Sequence, residues 1–179
     1  MPEMRIAVCD DEEFYRVELS KMITVYGNET GQKLILDTWE SGVALLDAVK
    51  GGDKDYDIIF LDIEMPELSG MEAGEELHRM GKNMALCFVT SFNEYALNAY
   101  QIDAIGYVVK PIQYLDLKKM MEKAEMQYWY RKKTEEAQKR YLEVKCGRRT
   151  AIIDLEKVVY IKKRRNQCVF HLTDGEQIC

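Results

Sequence analysis

Over its first 130 residues the chain alternates short apolar runs with longer amphipathic stretches, five times in succession. The apolar runs predict strands near 4–9, 33–38, 57–61, 84–90 and 105–109. Ile6-Ala7-Val8-Cys9, Ile58-Ile59-Phe60-Leu61 and Ala85-Leu86-Cys87-Phe88-Val89 show no polar alternation, as expected of parallel strands buried on both faces. Between them, Tyr15, Leu19, Met22, Ile23 and Tyr26 recur at the spacing of one helix face. Leu117, Met121, Ala124 and Tyr128 do the same in the last helix. Ser41 and Ser69 stand where N-caps belong, and Gly27, Gly51-Gly52 and Gly81 read as helix stops. The alternation predicts an α/β fold, a doubly wound parallel sheet with helices on both faces.

Past Tyr128 the pattern changes. Trp129–Lys139 is polar and predicts a prolongation of the fifth helix. From Tyr141 onward Tyr141–Cys146, Thr150–Ile153, Val158–Ile161 and Gln167–Leu172 read as strands, with turns at Gly147 and Asp174-Gly175. The expected division is a first domain over 1–128, a helical linker over 129–140 and the start of a small all-β domain over 141–179. About forty residues of short strands are too few for an independent core of this type. A further strand is expected near Cys179, so this part reads as the front of a longer β domain.

Composition narrows the setting. With 47% hydrophobic residues the chain can fill a sizeable core. Its longest apolar run is too short to cross a bilayer, and the N-terminus lacks a signal-peptide core, so no membrane association is expected. The five cysteines form no C-x-x-C pair, and Cys9 and Cys87 fall inside apolar strands, which points to a reducing cytoplasm. His78 and His171 lack metal-ligand spacing, and no zinc site is expected. The net charge of −6 divides unevenly: −12 over residues 1–130, +8 over 131–165 and −2 over the remainder. The basic stretch suits either a solvated linker helix or a face turned toward a polyanion.

Polar signatures close four of the apolar runs: Asp10-Asp11, Asp62, Thr90 and Lys110-Pro111. In open α/β sheets, ligands collect beyond the carboxyl ends of the strands. One crevice would then hold three carboxylates, a hydroxyl and an ammonium. Clustered carboxylates repel unless a cation neutralises them, and an all-oxygen donor set beside a phosphoryl group calls for Mg2+. A carboxylate attacking phosphorus needs in-line geometry and dispersal of charge over three oxygens. Mg2+, Lys110 and Thr90 supply one partner for each. Taken singly, the residues have plainer readings: paired acids stabilise a helix N-terminus, Thr is common in strands, and Tyr107 suits a core.

Residues 1–130 resemble the receiver domain of two-component response regulators. The resemblance rests on Asp10-Asp11, on Asp62 within Leu61-Asp62-Ile63-Glu64-Met65-Pro66, on Thr90 and on Lys110-Pro111. It implies a (βα)5 flavodoxin-like sheet of order 2-1-3-4-5, a cis peptide before Pro111, and Asp62 as acceptor of phosphate from a histidine kinase. It further implies Mg2+ held by Asp11, Asp62 and the backbone carbonyl of Glu64, with Asp10 acting through water. Thr90 and Tyr107 would be the switch pair, with Lys110 on a phosphoryl oxygen. The only chemistry expected is the chain's own phosphorylation and dephosphorylation. An active homodimer through the face of the fourth helix, fifth strand and fifth helix is a further family expectation. The acidic side chain of Glu64, together with Ser91 and Phe92, narrows the expected approach of a phosphodonor.

Thr90–Leu97 and Val109-Lys110-Pro111-Ile112 resemble receivers joined to LytTR-type DNA-binding domains. Tyr141–Val144, Ile153–Ile161 and His171–Gly175 resemble the opening strands of that output fold, covering about two-fifths of a module of roughly one hundred residues. By this resemblance Asn166, with Arg164 and Arg165 beside it, falls on a DNA-contacting loop, and DNA is the partner of the full-length protein. A hairpin turn with solvated charges is the plainer reading of that loop. Two other functions remain open from sequence: an aspartate-nucleophile Mg2+ phosphatase, and a regulator acting through protein partners only. The phosphatase pattern carries Asp-x-Asp on the first strand, whereas here the first strand ends in adjacent acids.

Overall fold

The computed structural model describes residues 3–52, 54–81, 84–92, 95–146, 149–164 and 167–178. The chain divides into two compact units, Met1–Gln127 and Tyr128–Cys179. In the first, strands and helices alternate: β1 (Met4–Cys9), α1 (Glu13–Thr30), β2 (Leu34–Trp39), α2 (Gly42–Lys50), β3 (Ile58–Leu61), α3 (Gly70–Arg79), β4 (Ala85–Thr90), α4 (Ala96–Gln101), β5 (Gly106–Val109) and α5 (Tyr114–Arg140). The sheet is parallel throughout, in the order β2-β1-β3-β4-β5, as the resemblance implied. The Lys110–Pro111 peptide is cis.

The burial follows the hydrophobic pattern. Every residue of the central strands β3 and β4 is buried, whereas the edge strand β2 is only half-buried. Helices on both faces shelter the strands, so their side chains can be apolar on both sides. Helix α1 turns Leu19, Ile23 and Tyr26 inward, and α5 contributes Leu117, Met121, Ala124 and Tyr128 to the buried set. The Ser41 hydroxyl caps α2 by accepting from the Ala44 amide. Ser69 and Glu72 form a reciprocal capping box at the start of α3.

One expected helix stop falls elsewhere. Helix α1 runs through Gly27 and ends at Gly31, which adopts the left-handed conformation with φ 70°. A Cβ on Gly27 would come within 2.9 Å of a Leu34 methyl, so this glycine serves the close approach of α1 to β2.

The second unit contains the end of α5 and two antiparallel sheets. β6 (Tyr141–Cys146) pairs with β7 (Arg149–Asp154), while β8 (Val158–Arg164), β9 (Gln167–Leu172) and β10 (Gly175–Ile178) form the order β10-β9-β8. A single helical turn at Leu155–Lys157 separates β7 from β8. Ile153, Val169 and Phe170 are buried, but Ile152, Val159 and Ile161 are exposed. The Arg140 guanidinium binds both oxygens of Asp154, at 3.0 and 2.8 Å, and reaches Glu156 at 3.0 Å. No helix among the described residues is long and apolar enough to cross a membrane.

Candidate functional site

Four strand ends meet at the carboxyl edge of the parallel sheet. Asp10 follows β1, Asp62 follows β3, Thr90 is the last residue of β4 and Lys110 follows β5. Because β2 lies on one side of β1 and β3 on the other, the connections diverge at β1 and open a crevice there. Hydrogen bonds continuing the ladders fix the two buried acids: the Asp10 amide donates to the Trp39 carbonyl at 3.1 Å, and the Asp62 amide to Cys9 at 2.9 Å.

The Lys110 ammonium bridges these acids, 2.7 Å from Asp10 Oδ2 and 3.1 Å from Asp62 Oδ2, with all three side chains 6% exposed or less. Carboxylate oxygens of Asp10, Asp11 and Asp62 all lie within 4.8 Å of one another, and Asp11 opens to solvent. The second oxygen of Asp62 accepts from the Ile63 amide at 2.8 Å, and Asp10 Oδ1 from the Glu12 amide at 3.0 Å. Burial pushes the Asp62 carboxyl above its usual range. Lys110 opposes that rise and Asp10 adds to it. Burial pulls Lys110 down, but its hydrogen bond to Asp10 and the two carboxylate charges outweigh that pull and hold the ammonium charged. One ammonium against three carboxylates leaves a negative, oxygen-lined cluster, which fits a hard divalent cation such as Mg2+.

Thr90 is fully buried, and its Oγ1 accepts from the Phe92 amide at 3.5 Å. Tyr107 is half-buried, and its hydroxyl donates to the Phe92 carbonyl at 2.5 Å. The backbone of residue 92 therefore links the two side chains of the expected switch pair. Glu64 and Ser91 are exposed. Behind the site, Cys9 Sγ lies 3.6 Å from Met65 Sδ, and burial together with Asp10 and Asp62 pushes its thiol up to about 12.

Three contributors were not read as site residues from sequence, although Tyr15 was placed on the apolar face of the first helix. The Arg16 guanidinium donates to the carbonyls of Asp10 and Asp11, at 2.6 and 2.9 Å, and so holds the acidic loop by its backbone. The Tyr15 ring centroid lies 3.9 Å from the Lys110 ammonium. Gly70 packs so closely that an added Cβ would fall 1.8 Å from the Asp62 carbonyl oxygen. Helical spacing from the acid pair marks Tyr15 and Arg16 as near neighbours of the loop, but nothing local signals Gly70. In the second unit Arg164 is exposed at the end of β8, whereas Arg165 and Asn166 lie outside the described residues.

Residues 6–122 match the response regulator receiver domain. Among curated proteins, the chain is similar to the positive alginate biosynthesis regulatory protein of Pseudomonas aeruginosa, 32% identical over 124 residues, 68% of this chain and 47% of that protein. It is 30% identical to the sensory transduction protein LytT of Enterococcus faecalis over 121 residues, 68% of this chain and 48% of the relative. The transcriptional regulatory protein YpdB of Escherichia coli K12 shares 29% identity over 122 residues, 68% and 48% of the two chains. The chain spans about half the length of these curated relatives. Among solved structures, the response regulatory domain of mrkE from Klebsiella pneumoniae shares the fold at 23% identity. Its TM-score is 0.64, over 71% of this chain and 99% of that one. TrrA of Thermotoga maritima, solved in complex with Mg2+–BeF, is 32% identical with a TM-score of 0.57, over 68% and 98% of the two chains.

Proposed function

The chain belongs to the response regulator receiver family, and from that premise we propose that it is a phosphorylation-switched transcription regulator whose Asp62 accepts a phosphoryl group from a histidine kinase. The observation that carries the proposal is the buried Lys110 ammonium shared by Asp10 and Asp62, with the Asp11 carboxylate beside them. The chemistry follows from this arrangement. A carboxylate oxygen of Asp62 forms a P–O bond as the P–N bond to the donor histidine breaks, and the leaving imidazole nitrogen takes up a proton. Asp11, Asp62 and the Glu64 carbonyl would hold Mg2+, with Asp10 acting through water, and the ion would supply charge neutralisation at one phosphoryl oxygen. Lys110 neutralises a second oxygen, and the Thr90 hydroxyl donates to the third. No separate substrate is turned over.

Thr90 and Tyr107 both hold the backbone of Phe92. Movement of the Thr90 hydroxyl toward the phosphoryl group releases the Phe92 amide, loosening the carbonyl that anchors Tyr107. The inward Tyr107 arrangement then gains population. The face of α4, β5 and α5 is the proposed dimer interface of that state, pairing two LytTR-type output domains on adjacent DNA half-sites. The excess of lysine and arginine over residues 131–165 supports a polyanionic partner in the full-length protein. Arg164, Arg165 and Asn166 are the proposed contributors here, and the cytoplasm is the proposed setting.

Acetyl phosphate with Mg2+ should add one phosphoryl group to the chain, read by intact mass. Asp62→Asn should abolish the addition, as should chelation of the metal. Stoichiometric labelling of Asp62→Asn would overturn the assignment.

A further inference from the structure

We propose that Tyr15 is a positioning residue for Lys110, its ring fixing the ammonium where it meets a phosphoryl oxygen. The inference rests on the reading of Asp62 as phosphoryl acceptor. An ammonium on a flexible four-carbon stem carries three donors and has no intrinsic orientation. Here two directions are taken by Asp10 at 2.7 Å and Asp62 at 3.1 Å, and the Tyr15 ring centroid lies 3.9 Å from the same nitrogen. That distance is within cation–π range, and the lysine side chain is only 2% exposed, the desolvated setting in which such contacts are strongest.

The three anchors come from separate elements: the end of β1, the end of β3 and the first turn of α1. They respond differently to phosphorylation. When Asp62 carries a phosphoryl group, the Lys110–Asp62 contact must be remade onto a phosphoryl oxygen. The ring contact does not depend on Asp62 and persists through the step. Tyr15 is itself supported. Phe14 meets its ring edge-on, with centroids 5.2 Å apart and planes at 75°. Arg16, the next residue, ties the same helical turn to the carbonyls of Asp10 and Asp11. Placement of the lysine and of the acidic loop is thus shared by consecutive residues of α1.

The π face is the operative feature, so Tyr15→Phe should keep it and Tyr15→Leu should lose it. With acetyl phosphate and saturating Mg2+, the labelling rate of Tyr15→Phe should stay within about twofold of wild type. Tyr15→Leu should be slower by about fivefold to thirtyfold, the span expected for a partly to fully desolvated cation–π contact. Mg2+ affinity, titrated without phosphodonor, should be unchanged in both variants because the metal is held by the acids. Tyr15→Met, which also fills the space without a ring, replaces the leucine variant if that fails to fold. Labelling of the leucine or methionine variant at the wild-type rate would overturn the inference, as would a parallel fall in Mg2+ affinity. A wild-type chain that takes no label overturns the phosphoryl-acceptor reading and this inference with it. Normal wild-type labelling alongside an unaffected leucine variant overturns the inference alone.

Discussion

Lys110→Met removes the ammonium that pairs directly with two buried carboxylates while keeping an unbranched side chain of similar length. At an effective dielectric near 20, an ammonium at 2.7 and 3.1 Å attracts the two carboxylates by about 6 and about 5 kcal/mol before desolvation is charged against it. Most of that gross attraction offsets the removal of the three ions from water. Truncating one partner of a buried pair typically costs about 3–5 kcal/mol because the remaining charge is left uncompensated. The lower end applies here, since exposed Asp11 shows that the cluster opens to solvent on one side. About 3 kcal/mol corresponds to a melting point lowered by roughly 10 °C in a domain of this size. The loss should depend on pH. Asp62 is already raised by burial, and removing Lys110 raises it further. The penalty is therefore full near pH 7 and shrinks as pH falls through the raised value, where the carboxyls take up protons. Urea unfolding followed by circular dichroism, at pH 7 and near pH 5, in EDTA and in Mg2+, separates these effects. Mg2+ should stabilise Lys110→Met more than wild type. A variant as stable as wild type in EDTA at pH 7, or a gap that widens on acidification, would refute the reasoning.

Three further perturbations probe the scaffold. Gly70→Ala places a methyl 1.8 Å from the Asp62 carbonyl oxygen and 3.0 Å from the Ile63 Cα, backbone that cannot yield cheaply; a loss of about 2 kcal/mol by chemical denaturation and slower labelling of Asp62 are expected. Ser69→Ala removes one half of the capping box on α3 and should cost about 1 kcal/mol, with faster amide exchange confined to the first turn of that helix. Glu125 is raised by burial and by Glu122, against a lowering hydrogen bond from Tyr26, and its Oε1 has no hydrogen-bond partner among the described residues. A raised carboxyl favours the folded state while protonated, so wild-type stability should fall as pH climbs from the ordinary carboxylate range through the raised value. Glu125→Gln should flatten that decline in a pH series of melting curves.

The parts of the candidate site carried on strand ends were legible because each apolar run terminates in its candidate residue, and the parallel topology brings those ends to one edge. Tyr15 shows where such reading stops. Its helical spacing marks it as inward-facing, but only the tertiary fold tells that it meets Lys110 rather than another apolar side chain. Gly27 was misread for a related reason. A glycine near a helix end usually marks a stop, yet here it clears Leu34 of the neighbouring strand, and Gly31 supplies the left-handed turn. In the second unit the apolar runs understate the strands. Arg149, Asp154 and Lys162–Arg164 pair in the ladders although their side chains are polar, and β10 begins directly at Gly175. Backbone pairing there extends beyond the apolar side chains that reveal it.

The central claim is that Asp62 receives phosphate inside a pocket completed by Lys110, Thr90 and a divalent cation. A crystal structure of the chain grown with Mg2+ and beryllofluoride tests it most directly. Density joined to the Asp62 carboxylate, with the Lys110 ammonium and the Thr90 hydroxyl each on a fluorine and the metal against Asp11, is the expected result. An adduct on another residue, or a crevice left unmodified while Mg2+ binds elsewhere, would contradict it.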